Sequence, residues 1–193
     1  MTGALLIRAD DAAPQPWRNG GGVTRELLAW PTAGEWRVRI SVADIETDGP
    51  FSAYPGVSRW FAVLKGAGVE LNVDGALHRV TRNAAPLAFA GDATTTCRLI
   101  DGPTRDLNLM LRGATGSIAL VDDGLDWVPQ AAQCGLFSAV AGVVRSGDSE
   151  IDVPAYALAW FGAAPPRLAF VAGQRPASAV GWWIAATPEE KAT

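Results

Sequence analysis

Histidine is nearly missing from this 193-residue sequence, where His78 stands alone. Catalytic zinc and iron sites usually take two or three imidazoles from the chain, so no protein-held transition metal and no cofactor is expected. A Ser-His-Asp triad would also have to use His78, and no G-x-S-x-G elbow accompanies it. Following Leu77 in a predicted strand, His78 reads as a strand-surface residue. Cysteine is almost as scarce: Cys97 and Cys134 lie far apart without a C-x-x-C spacing, which excludes a disulfide framework and leaves two buried, inert thiols. Runs of Lys or Arg are absent too. With 16 basic against 20 acidic residues the net charge is −4, so the footprint that nucleic acid requires is lacking. Nor is there a long apolar run. The start MTGALLIRADD meets an Arg and two Asp after a very short apolar stretch, which reads as neither signal peptide nor membrane span, and a soluble cytoplasmic protein without a membrane partner is expected.

What the sequence does have is apolar material, 49% of residues, punctuated by 21 Gly and 13 Pro at intervals that mark many short segments. This spacing predicts an all-β protein with two sheets packed or rolled together. Residues 35–43 alternate, with Trp36, Val38, Ile40 and Val42 on one face and Arg37, Arg39 and Ser41 on the other. Segments 59–65, 69–73 and 76–81 predict a three-stranded meander, with Asp74-Gly75 as a two-residue hairpin turn. Segment 106–112 sets Leu107, Leu109 and Leu111 against Asp106, Asn108 and Met110. Looser strand patterns follow at 117–121, 139–145, 155–161, 167–171 and 182–185. Helical spacing occurs only where Val23, Leu27 and Leu28 would share a face, and near 129–136. Trp182-Trp183 must point to opposite faces of a strand, which offers one indole to an oligomer contact such as a homodimer. Fraying is the default for the tail 187–193.

Three stretches carry recognition chemistry. A polar strand face turns either to solvent or to a ligand-holding lumen. Here it bears the compact set Arg39, Ser41, Asp106 and Asn108, which suits the grip of a small carboxylate or amide. PWRNGGGVTRE (16–26) is either a glycine-rich hairpin turn or a loop cleared for a ligand: Gly20, Gly21 and Gly22 expose backbone N–H groups, and Arg18, Asn19, Thr24 and Glu26 flank them. It has neither a P-loop ending nor a dinucleotide fingerprint. In DGPFSAYPGVSR (48–59), turn dipeptides stiffen a short loop holding Phe51, Ser52 and Tyr54, whose rings line a pocket or fill the core, and Arg59 opens the next strand within reach of it.

PWRNGGGVTRE, WRVRIS, DIETDGPFSAYPGVSR, LKGAGVEL, PLAFAGD and DLNLMLR follow one another through residues 16–112, and in this order they resemble the HutD/Ves family. The resemblance implies a bicupin, two cupin-like β-barrel (jelly-roll) modules packed in one chain: 1–112 with the candidate pocket and 113–193 as a degenerate copy. Where metal-binding cupins carry His and Glu, near 66–80 and 86–96, this chain supplies no second imidazole. The resemblance further implies a histidine-degradation intermediate, urocanate or N-formylglutamate, as ligand.

The leading expectation is a non-enzymatic protein that binds a small-molecule carboxylate in a regulatory or accessory role. Trp17 would stack on the ligand. Arg18, Arg39 and Arg59 would pair with its carboxylates, while Asn19, Ser41, Ser52, Asp106 and Asn108 would bond its polar atoms. Thr24 and Glu26 would orient these groups, Phe51 would form a wall, and the three glycines would admit the ligand close to the backbone. The rival is a metal-free isomerase or amide hydrolase with Glu26 or Asp106 as general base. A third reading, an interaction protein associating through an apolar strand surface, makes these residues dispensable.

Overall fold

Alternation along Val38–Ile45 gives this strand two buried faces. Val38, Ile40 and Val42 point one way with no exposed surface, and Ser41, Ala43 and Ile45 point the other. The computed structural model describes residues 3–174 and 178–189. Among them it holds strands, one 3₁₀ turn at Ala9–Asp11 and no α-helix. Four sheets result, and none closes into a barrel, so the expected barrel modules are instead pairs of open sheets. In the first half a six-stranded sheet runs Pro14–Pro16, Gly22–Trp30, Val38–Ile45, Thr104–Leu111, Ser58–Lys65, Leu87–Ala90, and faces a four-stranded sheet made of Gly49–Pro50, Thr95–Leu99, Val69–Val73 and Ala76–Val80. In the second half a five-stranded sheet has Gly181–Pro188 and Gln133–Ser138 at its centre. It faces a four-stranded sheet made of Asp126–Trp127, Leu168–Ala172, Gly142–Ser146 and Ser149–Val153. The strand Leu5–Arg8 belongs to this second half, pairing antiparallel with Ala157–Phe161.

Three apolar clusters fill the layers. The largest joins the two big sheets, packing Ile40, Leu107 and Leu109 against Phe137, Leu158, Trp182 and Ile184. A second lies inside the second half around Leu136, Phe161, Phe170 and Trp183. A third, with Ile45, Phe61, Val63 and Leu71, occupies only part of the interior of the first half. The remainder of that interior is the site described below.

Several sequence expectations change here. Gly22–Trp30 is a strand rather than a helix, and its pairing with Val38–Ile45 shifts register between Glu26 and Leu28. This bulge puts Leu27 and Leu28 in the same core cluster, which breaks the two-residue alternation and imitates helical spacing. Near 129–136 the expected helix is a loop followed by Gln133–Ser138, a central strand whose Leu136 and Phe137 enter different cores, so both of its faces are apolar. The meander does not form: Val69–Val73 and Ala76–Val80 make the hairpin, with Asp74 and Gly75 at φ 48° and 88°, but Ser58–Lys65 pairs in the other sheet with Thr104–Leu111 and Leu87–Ala90. Trp182 and Trp183 do face opposite ways, yet both are buried, and Trp183 stacks on Trp127 with centroids 4.7 Å apart and planes 6° from parallel. Neither indole is available for an oligomer contact. In the tail, strand continues through Pro188, and 190–193 lie outside the described residues.

Candidate functional site

The unfilled part of the first interior is a cavity of about 660 Å³ between the six-stranded sheet and the loops at its end. Three neighbouring strands supply its floor. Val38–Ile45 contributes Arg39, Ser41 and Ala43, Thr104–Leu111 contributes Asp106, Asn108 and Met110, and Ser58–Lys65 contributes Arg59. Period two turns every second residue inward, and register sets Asn108 opposite Ser41 and Met110 between Arg39 and Arg59. The polar face therefore lines a lumen rather than meeting solvent. Ser41, Arg59, Asp106 and Asn108 are all buried, Asp106 to 1% exposure.

The rim comes from two loops. PWRNGGGVTRE is both a hairpin and a cavity wall: Trp17 N donates to Gly22 O at 2.9 Å, closing the turn, while Trp17, Arg18, Asn19 and Thr24 border the cavity. The Trp17 indole is fixed by its Nε1–H, which donates to Thr24 Oγ1 at 2.7 Å, and by edge-on packing against Phe51. Its glycines serve the turn rather than the lumen. Gly20 has φ +72°, Gly21 N donates to Asn19 Oδ1, and a Cβ on Gly22 would lie 2.3 Å from Asp44 O and against the Trp17 ring. None of the three lines the cavity. From the second loop Phe51, Ser52 and Tyr54 do.

Arg59 is the most constrained cation. Its guanidinium lies 4.9 to 5.7 Å from the centroids of Phe51, Tyr54 and Phe89, a three-sided aromatic enclosure. Burial lowers its affinity for its proton, and the Asp106 charge partly restores it. Nη2 donates to Asn108 Oδ1 at 3.2 Å, and Asn108 Nδ2 in turn donates to Asp106 Oδ1. Asp106 Oδ2 and Arg59 Nε are buried without partners. Desolvation holds the Asp106 carboxyl well above the usual carboxylate range, against the opposing pull of Arg59. Nearer the mouth, Arg39 Nε donates to Glu26 Oε2 at 2.6 Å. Glu26 itself is not a lining residue, and its carboxylate is engaged in orienting Arg39.

Behind the floor, on the opposite sheet face, Asp44 accepts from Arg25 Nη1 and Arg105 Nε, each at 2.6 Å. These ion pairs lower its pKa despite the opposing effect of burial. They brace the sheet and do not touch the cavity. Burial lifts both free thiols to about 12, in keeping with inert cysteines. His78 is half-buried on Ala76–Val80, outside the cavity, and among the described residues no cluster of three metal-ligating side chains occurs.

The sequence reading left out Gln15, Pro16, Ala43, Pro50 and Met110, which also line the cavity, and of its two readings of Tyr54 the structure favours the pocket wall. Ala43 and Met110 were legible as the residues two beyond Ser41 and Asn108. Gln15 was not, because a three-residue edge strand flanked by prolines carries no alternation.

Strand-built sheets enclosing a polar cavity define an all-β protein of cupin-like fold. A cupin from Leptotrichia buccalis superposes with a TM-score of 0.59 at 10% identity over 95% of this chain and 96% of that one, a likeness of fold alone. The chain belongs to the HutD family, whose model matches residues 9–139. HutD from Pseudomonas fluorescens SBW25, solved in a formate condition, superposes with a TM-score of 0.81 at 28% identity, covering 97% of this chain and 100% of that one. Protein Ves of Citrobacter koseri is 30% identical over 175 residues, 90% of this chain and 92% of its own. An uncharacterized 21.2 kDa protein in the hutC 3′ region of Pseudomonas putida is 40% identical over 116 residues, 57% of this chain and 59% of that protein. No described helix is long and apolar enough to cross a membrane.

Proposed function

We propose that this chain is a cytoplasmic bicupin, with modules at 1–112 and 113–193 except that the strand Leu5–Arg8 completes the second, whose first module binds a small carboxylate from histidine degradation, urocanate or N-formylglutamate, in a regulatory or accessory role. One observation carries the reading: Arg18, Arg39 and Arg59 converge with Ser41 and Asn108 on one cavity in which Asp106 is the sole lining acid. Guanidinium forks in a partly desolvated pocket favour carboxylates, and Trp17 offers a fixed ring for a planar group. The names of the P. fluorescens and P. putida relatives support the link to histidine utilisation.

A thermal-shift series with urocanate, N-formylglutamate, histidine and glutamate tests it. At 100 times its dissociation constant a true ligand stabilises the fold by about 2.7 kcal/mol. If all four leave the melting temperature unchanged, the reading fails.

A metal-free enzyme is the second reading, favoured by the unpartnered Oδ2 of Asp106 and by the burial that raises this carboxyl above the usual carboxylate range. Glu26, locked to Arg39, is poorly placed for that work. Turnover of a bound carboxylate that Asp106→Asn abolishes while binding survives would establish it.

A further inference from the structure

Asp106 and Arg59 sit at the two ends of a short relay, and among the described residues no direct ion pair joins them. Asn108 stands between, and its orientation is dictated: Arg59 can only donate, so Asn108 Oδ1 faces it, leaving Nδ2 to donate to Asp106 Oδ1. The relay thus occupies one Asp106 oxygen and leaves Oδ2, in a residue that lines the cavity and is 1% exposed, with no protein partner. An unpartnered buried polar atom is costly unless something else meets it. An ionised Asp106 beside a bound carboxylate would oppose it at close range, and a protonated one would donate to it.

We propose that Asp106 receives an anionic ligand as a carboxylic acid, Oδ2–H donating to the ligand's carboxylate beside the Arg59 guanidinium, so that binding is coupled to one proton held at this residue. The inference rests on the carboxylate-binding reading above. The proton comes from solvent, the ligand stays ionised, and no covalent bond changes. Other groups act on the same proton. Arg59, from Ser58–Lys65, and the Asn108 amide favour its release, while Arg39, from Val38–Ile45, bears on the Arg59 charge. Asp44 favours the proton's retention, Tyr54 lies against Arg59, and the Cys97 thiol, itself held protonated, faces Asp106 from Thr95–Leu99. The outermost polar positions are thereby left to read the rest of the ligand, while the innermost tests for a carboxylate able to accept a hydrogen bond.

Calorimetric titration of the full chain with N-formylglutamate, whose own carboxylates stay ionised throughout, should be run from pH 5 to 9 in buffers of different ionisation heat. Above the Asp106 value the wild type should take up a proton on binding and its affinity should fall by about tenfold per pH unit, whereas below that value both proton uptake and the pH dependence vanish. Asp106→Asn keeps an acceptor toward Asn108 and places a permanent N–H donor where Oδ2 stood. Its affinity should be independent of pH and within about threefold of the low-pH wild type. Binding by the wild type that is flat with pH and releases no buffer heat overturns the inference while leaving the function standing, as does loss of binding in a folded Asp106→Asn protein. Absence of binding at every pH, by N-formylglutamate and by urocanate titrated in the same way, overturns both.

Discussion

The inward strand faces of the first half carry Arg39, Ser41, Arg59, Asp106 and Asn108 around a cavity. In the second half the faces turned toward the small sheet carry Cys134, Leu136, Ala159, Phe161 and Trp183, and Phe170 and Trp127 close over them. Both interiors follow from the same two-residue alternation and the same pairing of a large sheet with a small one. The difference lies in what the alternation presents. Apolar side chains interdigitate and exclude space, whereas charged and amide groups must keep polar partners and cannot collapse onto one another. One half can therefore supply stability to a neighbour whose interior costs it, through the shared cluster around Ile40, Leu107, Trp182 and Ile184.

That division predicts a double dissociation. Trp183→Ala should have the largest effect, destabilising the protein by about 3–5 kcal/mol in chemical denaturation while leaving the ligand's dissociation constant unchanged. Arg59→Met should do the reverse: affinity falls about 10- to 150-fold, as expected for a charge-assisted hydrogen bond worth about 1.5–3 kcal/mol, and the denaturation midpoint stays level or rises because a desolvated charge is gone. If Arg59→Met unfolds the protein, the polar interior is a structural element and the contrast between the halves collapses.

Gly22→Ala should come next, at about 1–3 kcal/mol of stability, because its Cβ would press on Asp44 O and the Trp17 ring. Displacing Trp17 should weaken binding as well, which titration of the folded variant would register. A Gly20→Ala change meets no neighbouring atom, so its cost is confined to the positive φ.

The smallest effects concern pH, and here two carboxylates on opposite faces of one sheet should respond oppositely. Asp44, lowered by Arg105 and Arg25, adds stability above its ordinary value of 3.8 that is lost as pH falls through the lowered one, so Asp44→Asn should flatten the acid limb of a stability–pH curve. Asp106, raised by burial, binds more protons folded than unfolded. Its stabilising share is present below 3.8 and declines as pH climbs toward the raised value, so Asp106→Asn should gain on the wild type in that direction.

Much of this site was legible in advance. Arg39/Ser41 and Asp106/Asn108 declared themselves as polar positions alternating with Ile40 and Leu107, and the structure brings both pairs into the cavity with Trp17, Phe51 and Arg59. The glycines of PWRNGGGVTRE were harder. The sequence marks a place needing backbone freedom but not which neighbour demands it, and that neighbour proved to be Asp44, 22 residues beyond Gly22. Glu26 was recognisable as an orienting group, though only the bulge after it explains why Leu27 and Leu28 mimic a helix.

Local periodicity determined the all-β class and the apolar and polar faces of the central strands, turn chemistry the hairpin at Asp74-Gly75, and composition, with one histidine, the lack of an imidazole cluster for a metal. Tertiary structure alone decided that the two large sheets join back to back, that Leu5–Arg8 completes the second half, that Trp182 and Trp183 are both enclosed, and that Asn108 separates Arg59 from Asp106. The reason is physical. Which way a side chain points depends on the residues beside it, but what it meets depends on strands brought into register from 40 to 155 positions away.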